Sequence, residues 1–267
     1  MATPTCPDIR AAFFDIDGTL LPFGAQQIPA DTRAALAALR RQGVGVYIAT
    51  GRPPVHLPAL KPLQGVEFDG FVTMNGQYCY DRTPAEPFYR RPLPPDAMQT
   101  LIPWLAGTPL AVAFVETDFV YVNDPAALDT GFCGPELPVL DPARALTRET
   151  YQLSAFIPPE WEAEFLAHCP GCKAVRWNRD FADILPADGG KPAGLARTLA
   201  RRGLQAGQAI AFGDGDNDIS MLQYAGIGVA MGNAAPAVQA AADYVTASVD
   251  EDGIWKAVQH FRLLEHR

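Results

Sequence analysis

The chain has 267 residues, 48% hydrophobic and 19% charged, with a formal net charge of -9. That length buries a sizeable core, in one large domain or two smaller ones, without disulfide staples. The acidic balance makes nucleic acid a poor partner, and no apolar run is long enough for a membrane span.

The opening "MATPTCPDIRAAFFD" lacks a basic stretch leading into a long apolar one, so a cytoplasmic chain is expected. Five cysteines (Cys6, Cys79, Cys133, Cys169, Cys172) form an odd, sparse set that fits reduced thiols. "AAFFDI" (11–16) reads as a short buried strand, and "TRAALAALRRQG" (32–43) as a helix stopped by Gly43. "VGVYIAT" (44–50) and "DGFVTMN" (69–75) are further buried strands. Strands that are apolar throughout, separated by helices, imply a parallel sheet covered on both faces.

From about Tyr80 to Leu185 the pattern changes to hairpin-like strands (111–124 and 173–185) and two helical stretches near 95–106 and 159–169. The parallel grammar then resumes. "KPAGLARTLARRG" (191–203) is helical, "AIAFGD" (209–214) a strand, and "DISMLQYAG" (218–226) a helix. "IGVAMG" (227–232) and "DYVTAS" (243–248) are short strands, and a closing helix starts near Gly253. The expectation is a doubly wound, Rossmann-like α/β core of residues 1–80 plus 186–267, with an α+β module of residues 81–185 inserted in it.

In open parallel sheets, ligands bind beyond the carboxyl ends of the strands. The groups expected there are Asp15, Asp17, Thr50, Gly51, Asn75 and Asp214. Crowded carboxylates are costly unless a hard divalent cation relieves them, and Mg2+ takes carboxylate, water and phosphate oxygens. Asp15, Asp17 (through side chain or backbone carbonyl) and Asp214 are therefore metal candidates, with Asp218 nearby; the plain alternative is a pair of acidic surface turns. "GDGDND" (213–218) opens like a calcium loop but has Ile219 and Ala225 where that loop needs Gly and Glu, so an EF-hand is excluded. Lys191, after two glycines at a helix start, either reaches a phosphate or is a solvated surface lysine.

"DIDGTL", "TGRP", "GGK" and "GDGDND", in that order, resemble the four motifs of the haloacid dehalogenase (HAD) superfamily. The module lies between the second and third motifs. With "MNGQ" before it and "DEDGI" near the end, that placement resembles the Cof-like type IIB sugar phosphatases, whose inserted module is a cap. Gly190 and Pro192 flank Lys191, where that branch more often has a small polar residue and Gly.

The resemblance implies an Mg2+-dependent phosphatase of a small phosphorylated metabolite, such as a sugar phosphate. Asp15 would be the nucleophile and Asp17 the general acid and base. Thr50, Gly51, Lys191 and Asn217 would hold the phosphate, and Asp15, Asp17, Asp214 and Asp218 the metal region, with Asp218 orienting Lys191 or a metal-bound water. A phosphosugar mutase is the nearest alternative. A non-catalytic metabolite-binding regulator is disfavoured because both candidate catalytic carboxylates are present. Phosphate monoesters need acceleration of up to ~10^21-fold, roughly 28 kcal/mol, far beyond the ~10^2- to 10^4-fold of general acid–base catalysis. A covalent path and strong electrostatics are therefore required.

Other features are assigned structural roles by default. "HCPGC" (168–172) reads as a turn with two reduced thiols. His56 reads as a loop histidine, with a place near the cleft after "TGRPP" as its alternative. Trp104, Trp161 and Trp177 read as packing groups of the module, with one aromatic over a sugar as the alternative.

Overall fold

The computed structural model describes residues 8–126, 137–177 and 179–264. Cys6 and Cys133 lie outside them. In chain order, β1 (Ala11–Phe14), α1 (Ala30–Arg41), β2 (Gly45–Ala49) and β3 (Gly70–Thr73) build a parallel unit. β4 (Tyr78–Tyr80) and β5 (Pro87–Arg90) add to the same sheet in antiparallel sense. The chain then leaves that sheet through α2 (Pro95–Leu105), β6 (Val112–Val115), β7 (Val120–Val122), β8 (Gln152–Ala155), α3 (Glu162–Ala167), β9 (Cys172–Val175) and β10 (Ala182–Pro186). It returns with α4 (Lys191–Arg201), β11 (Ala209–Gly213), α5 (Ile219–Tyr224), β12 (Ile227–Ala230), α6 (Pro236–Ala241), β13 (Tyr244–Val245) and α7 (Gly253–His260).

The eight-stranded sheet has the order β13-β12-β11-β1-β2-β3-β4-β5, which puts β1 near its middle. β1 and β11 are buried along their whole length, and Phe14 stacks on Phe212 across that pair at 4.8 Å. Strands buried on both faces need apolar residues at every position, which explains why these runs do not alternate. Leu36 and Leu39 of α1 pack on one face with Ile254 and Val258 of α7. Leu195 and Leu199 of α4, Met221 and Leu222 of α5 and Val238 of α6 cover the other. The doubly wound α/β fold read from the sequence is therefore present.

The five-stranded sheet, β7-β6-β8-β10-β9, is antiparallel throughout. Its strands alternate, as a sheet with two unlike faces must. Val112, Phe114, Leu153, Ala155, Ala182 and Ile184 pack against α2 and α3. The alternate residues Ala113, Val115, Gln152, Ser154 and Asp183 face a cleft shared with the other sheet.

Local detail departs from expectation in two places. β4 and β5 extend the core sheet through residue 90, past residue 80 where the first core segment was expected to give way to the module. β8 was not anticipated, because its alternation is only four residues long. Among the described residues, no helix is long and apolar enough to cross a membrane.

Candidate active site

Three parallel strands deliver the site. Asp15 follows β1 and its backbone N–H donates to the Phe212 carbonyl (3.0 Å). Thr50 follows β2 and donates to Val72 (2.9 Å), and Asp214 follows β11. The turn after Asp15 depends on Gly18, whose φ is +83° and whose added Cβ would collide with the Asp214 carboxylate. Glycine alone allows both that conformation and that approach.

Lys191 is the first residue of α4, an end of the helix where its dipole disfavours a cation. The side chain is nonetheless fully buried, because two carboxylates receive it. Nζ donates to Asp15 Oδ1 at 2.6 Å and to Asp218 Oδ1 at 2.5 Å. The other Asp218 oxygen accepts from the backbone N–H groups of Asp214 (3.1 Å) and Gly215 (3.0 Å). Asp214 accepts from Thr19 Oγ1 at 2.8 Å. Ligand atoms of Asp15, Asp214 and Asp218 all lie within 4.8 Å of one another.

Burial dominates the titration of this cluster. It pushes Asp15 up to about 8; Lys191 opposes the rise, while Asp218 and Asp214 add to it. Burial likewise pushes Asp214 up to about 7, opposed by the Thr19 hydrogen bond. Burial alone would lower Lys191, but the charges of Asp15 and Asp218 outweigh it and hold the ammonium above its usual range. Three carboxylates around one ammonium leave excess negative charge in a low-dielectric site. Hard oxygen donors in that arrangement fit a divalent cation, and a bound cation would draw Asp15 and Asp214 back down.

The structure brings Asp15, Asp214, Asp218 and Lys191 together but places the Asp17 carboxylate elsewhere. Asp17 forms a two-point ion pair with Arg52, at 2.7 Å (Nε) and 2.8 Å (the terminal nitrogen). Arg52 received no role from the sequence, although it lies inside the "TGRP" motif. Its fixed fork matches a carboxylate, which a lysine would not. Thr50 Oγ1 accepts from the Arg52 N–H at 3.1 Å. Asn217 Nδ2 donates to Asn75 Oδ1 at 3.1 Å.

These groups line a cleft of about 540 Å³ between the two sheets. Asp15, Asp17, Thr50, Gly51, Asp214 and Asn217 line its core side, and Gln152, Ser154, Trp177 and Asp183 its module side. His56, expected to be an ordinary loop residue, also stands on this wall, and burial and Arg52 lower its pKa. Trp177 is not simple packing either: its Nε1 donates to Asp183 at 2.9 Å in the cleft. Trp104 does pack internally, stacked on His168 at 4.4 Å, whereas Trp161 is 38% exposed. Cys169 and Cys172 are free thiols at the end of α3.

Asp183 is buried and accepts from Ser154, Trp177 and Asn75. Those bonds favour its charged form, yet burial outweighs them and raises it from 3.8 to about 6. A raised carboxylate stabilises the fold below its unfolded pKa and loses that contribution as pH climbs to the folded value. Melting curves of wild type and Asp183→Asn across a pH series are therefore expected to separate. Wild type should lose up to ~3 kcal/mol relative to the variant as pH rises through this interval, with no further change above it. A constant gap across that range would refute the shift.

Comparison with known proteins decides the family. Residues 12–258 match the family model described as haloacid dehalogenase-like hydrolase. The chain belongs to this family. It is a hydrolase of the haloacid dehalogenase type, as its four motifs implied. "Putative phosphatase YkrA" of Bacillus subtilis (strain 168) is 36% identical over 263 residues, covering 97% of this chain and 100% of that protein. A solved structure described as the HAD subclass IIB sugar phosphatase BT4131 is 37% identical with a TM-score of 0.86, covering 95% of this chain and 99% of that one. BT1666 from Bacteroides thetaiotaomicron, described among phosphatases of the HAD superfamily, is 31% identical with a TM-score of 0.89, covering 98% of both chains.

Proposed function

We propose that this haloacid dehalogenase-type hydrolase is an Mg2+-dependent phosphatase of a small phosphorylated metabolite, with sugar phosphates as the first class to test. The observation that supports this reading is the buried Asp15–Lys191–Asp218 cluster at the carboxyl edge of β1. It presents a carboxylate nucleophile beside a fixed positive charge, with Asp214 alongside. The substrate class follows the subclass IIB relative and the mixed polar and aromatic module wall of Gln152, Ser154, Asp183 and Trp177.

In this reading an Asp15 oxygen attacks phosphorus and the bond to the ester oxygen breaks, leaving an aspartyl-phosphate. Asp17, once released from Arg52 and protonated from solvent, gives that proton to the departing oxygen. It then takes a proton from the water that attacks phosphorus, and phosphate leaves with Asp15 restored. Lys191 offsets the charge that would keep carboxylate and phosphate apart. Thr50, Gly51 and Asn217 hold phosphoryl oxygens, and Arg52 holds Asp17 in place between turnovers. Asp15 and Asp214, with the Asp17 backbone carbonyl, would hold Mg2+, which when bound neutralises phosphoryl charge. Asp218, which accepts from Lys191 and from two backbone N–H groups, is assigned to positioning Lys191. The five-stranded module acts as the cap, excluding bulk water, and the cytoplasm is the proposed compartment.

The test is release of inorganic phosphate from p-nitrophenyl phosphate and a panel of sugar phosphates. A chelator should lower turnover by roughly 100-fold or more, and Mg2+ should restore it. Transfer of the phosphoryl group to a second hydroxyl without release would replace this reading with a mutase. Chelator-insensitive turnover would remove the cation from it.

A further inference from the structure

Asn75 is the point where the cap and the candidate phosphate site meet. It follows β3, is 1% exposed, and holds φ +51°, a left-handed conformation that Asn tolerates better than most residues. Met74 beside it is also left-handed at φ +50°. Two such residues together store backbone strain, which the surrounding structure must over-determine. Gly76 completes the turn at φ +92°, where an added Cβ would run into the Gly190 carbonyl, just before Lys191.

Every polar atom of Asn75 is used. Its N–H donates to the Thr50 carbonyl (3.0 Å), and its own carbonyl accepts from Gln77 Nε2 (3.2 Å). Side-chain Oδ1 accepts from Asn217 Nδ2 (3.1 Å). Side-chain Nδ2 donates to Gln152 Oε1 and to Asp183 Oδ2 (both 3.1 Å). Gln152 is on β8 and Asp183 on β10, both in the cap, whereas Thr50 and Asn217 belong to the core. One amide thus joins two core segments to two cap strands, and its two ends do different things. The oxygen fixes the Asn217 side chain; the nitrogen fixes the cap.

We infer that Asn75 is a positioning residue that couples closure of the cap to the orientation of Asn217 at the phosphate site. This rests on the phosphatase reading above for the role of Asn217. With the cap down, Nδ2 is held by Gln152 and Asp183, and the amide plane presents Oδ1 to Asn217. When the cap lifts, those two bonds break and the amide is free to turn, so Asn217 loses its fixed acceptor. The phosphate site is then fully formed only under a closed cap.

Two substitutions separate the ends. Asn75→Gly removes the whole amide in a conformation glycine accepts. Asn75→Asp keeps an acceptor for Asn217 but puts a carboxylate oxygen against Gln152 Oε1 and Asp183 Oδ2. With Mg2+ and p-nitrophenyl phosphate, Asn75→Gly is expected to lower kcat/KM roughly 10- to 100-fold, the scale of a misplaced contact. Adding Asn217→Ala to it should cost less than about threefold more, because the two act as one unit. Inhibition by inorganic phosphate should weaken in Asn75→Gly and be largely retained in Asn75→Asp. Hydrogen exchange at the Arg91 amide, which donates to Gln77 at the exit to the cap, should quicken in both.

Additive losses in the Asn75→Gly, Asn217→Ala pair would overturn the inference, as would equal phosphate inhibition in the two Asn75 variants. If Asn75→Gly does not fold, unchanged Arg91 exchange in Asn75→Asp overturns it alone. Failure of wild type to release phosphate would instead strike the phosphatase reading.

Discussion

Asp15→Asn is expected to lower phosphate release by roughly 10^4-fold or more while leaving a folded protein. The amide has the shape of the carboxylate but is not a nucleophile, so the covalent path closes and only positioning and electrostatics remain. The fold should survive because the native charge is held at a cost: burial raises Asp15 to about 8 despite Lys191. A neutral group there removes that cost, and Lys191 keeps Asp218 at 2.5 Å. Turnover of p-nitrophenyl phosphate beside a thermal melt checks both halves. Near wild-type turnover would end the assignment of Asp15, and an unfolded variant would contradict the account of its burial.

Lys191→Met should harm both stability and catalysis. Met fills a similar volume with an apolar chain. It leaves Asp15 and Asp218 facing each other without the ammonium that both contact. Removing one partner from a buried ion cluster costs ~3 to 5 kcal/mol, a drop of order 10 °C in Tm for a chain near this size. Loss of a fixed charge on the phosphoryl group should cost a further ~10^2- to 10^3-fold in kcat. Mg2+ should return part of the stability, since it relieves the same carboxylates, but little of the turnover. Chemical denaturation with and without Mg2+ reads the first effect and steady-state kinetics the second. Unchanged stability in chelator would show that Lys191 is not the charge that holds this cluster together.

The core of the fold and half of the site were legible because both follow short-range rules. Buried parallel strands are apolar throughout, and their carboxyl ends are where polar residues appear. Asp15, Thr50 and Asp214 could be picked out on that basis, and Lys191 joins them although it stands 176 residues from Asp15. What was not legible depends on pairing across the chain. Arg52 sat inside a recognised motif, but only the fold brings its guanidinium to Asp17. Asn75 was named as a strand-end group, yet its two cap partners lie 77 and 108 residues away. Gln152 and Ser154 follow a two-residue alternation that in "QLSA" spans only four residues, and Asp183 lies in a stretch read as a strand whose sequence does not say which face meets the cleft. His56 had only its place after "TGRPP" to suggest the cleft, and nothing singled out Trp177 among the three module tryptophans, because lining a cleft imposes no spacing of its own.

The central claim is that the phosphoryl group passes through Asp15. Asp17→Asn tests it most directly, because that variant lacks the base for the second step and should hold the intermediate. p-Nitrophenyl phosphate has a leaving group that departs without an acid, so the first step should still run. After mixing with Mg2+ and rapid acid quench, mass spectrometry of the peptide carrying residues 11–23 is expected to find one phosphoryl group on Asp15, absent in Asp15→Asn. Phosphate release with no phosphoryl group on Asp15 at any time, or the group on another residue, would contradict the account.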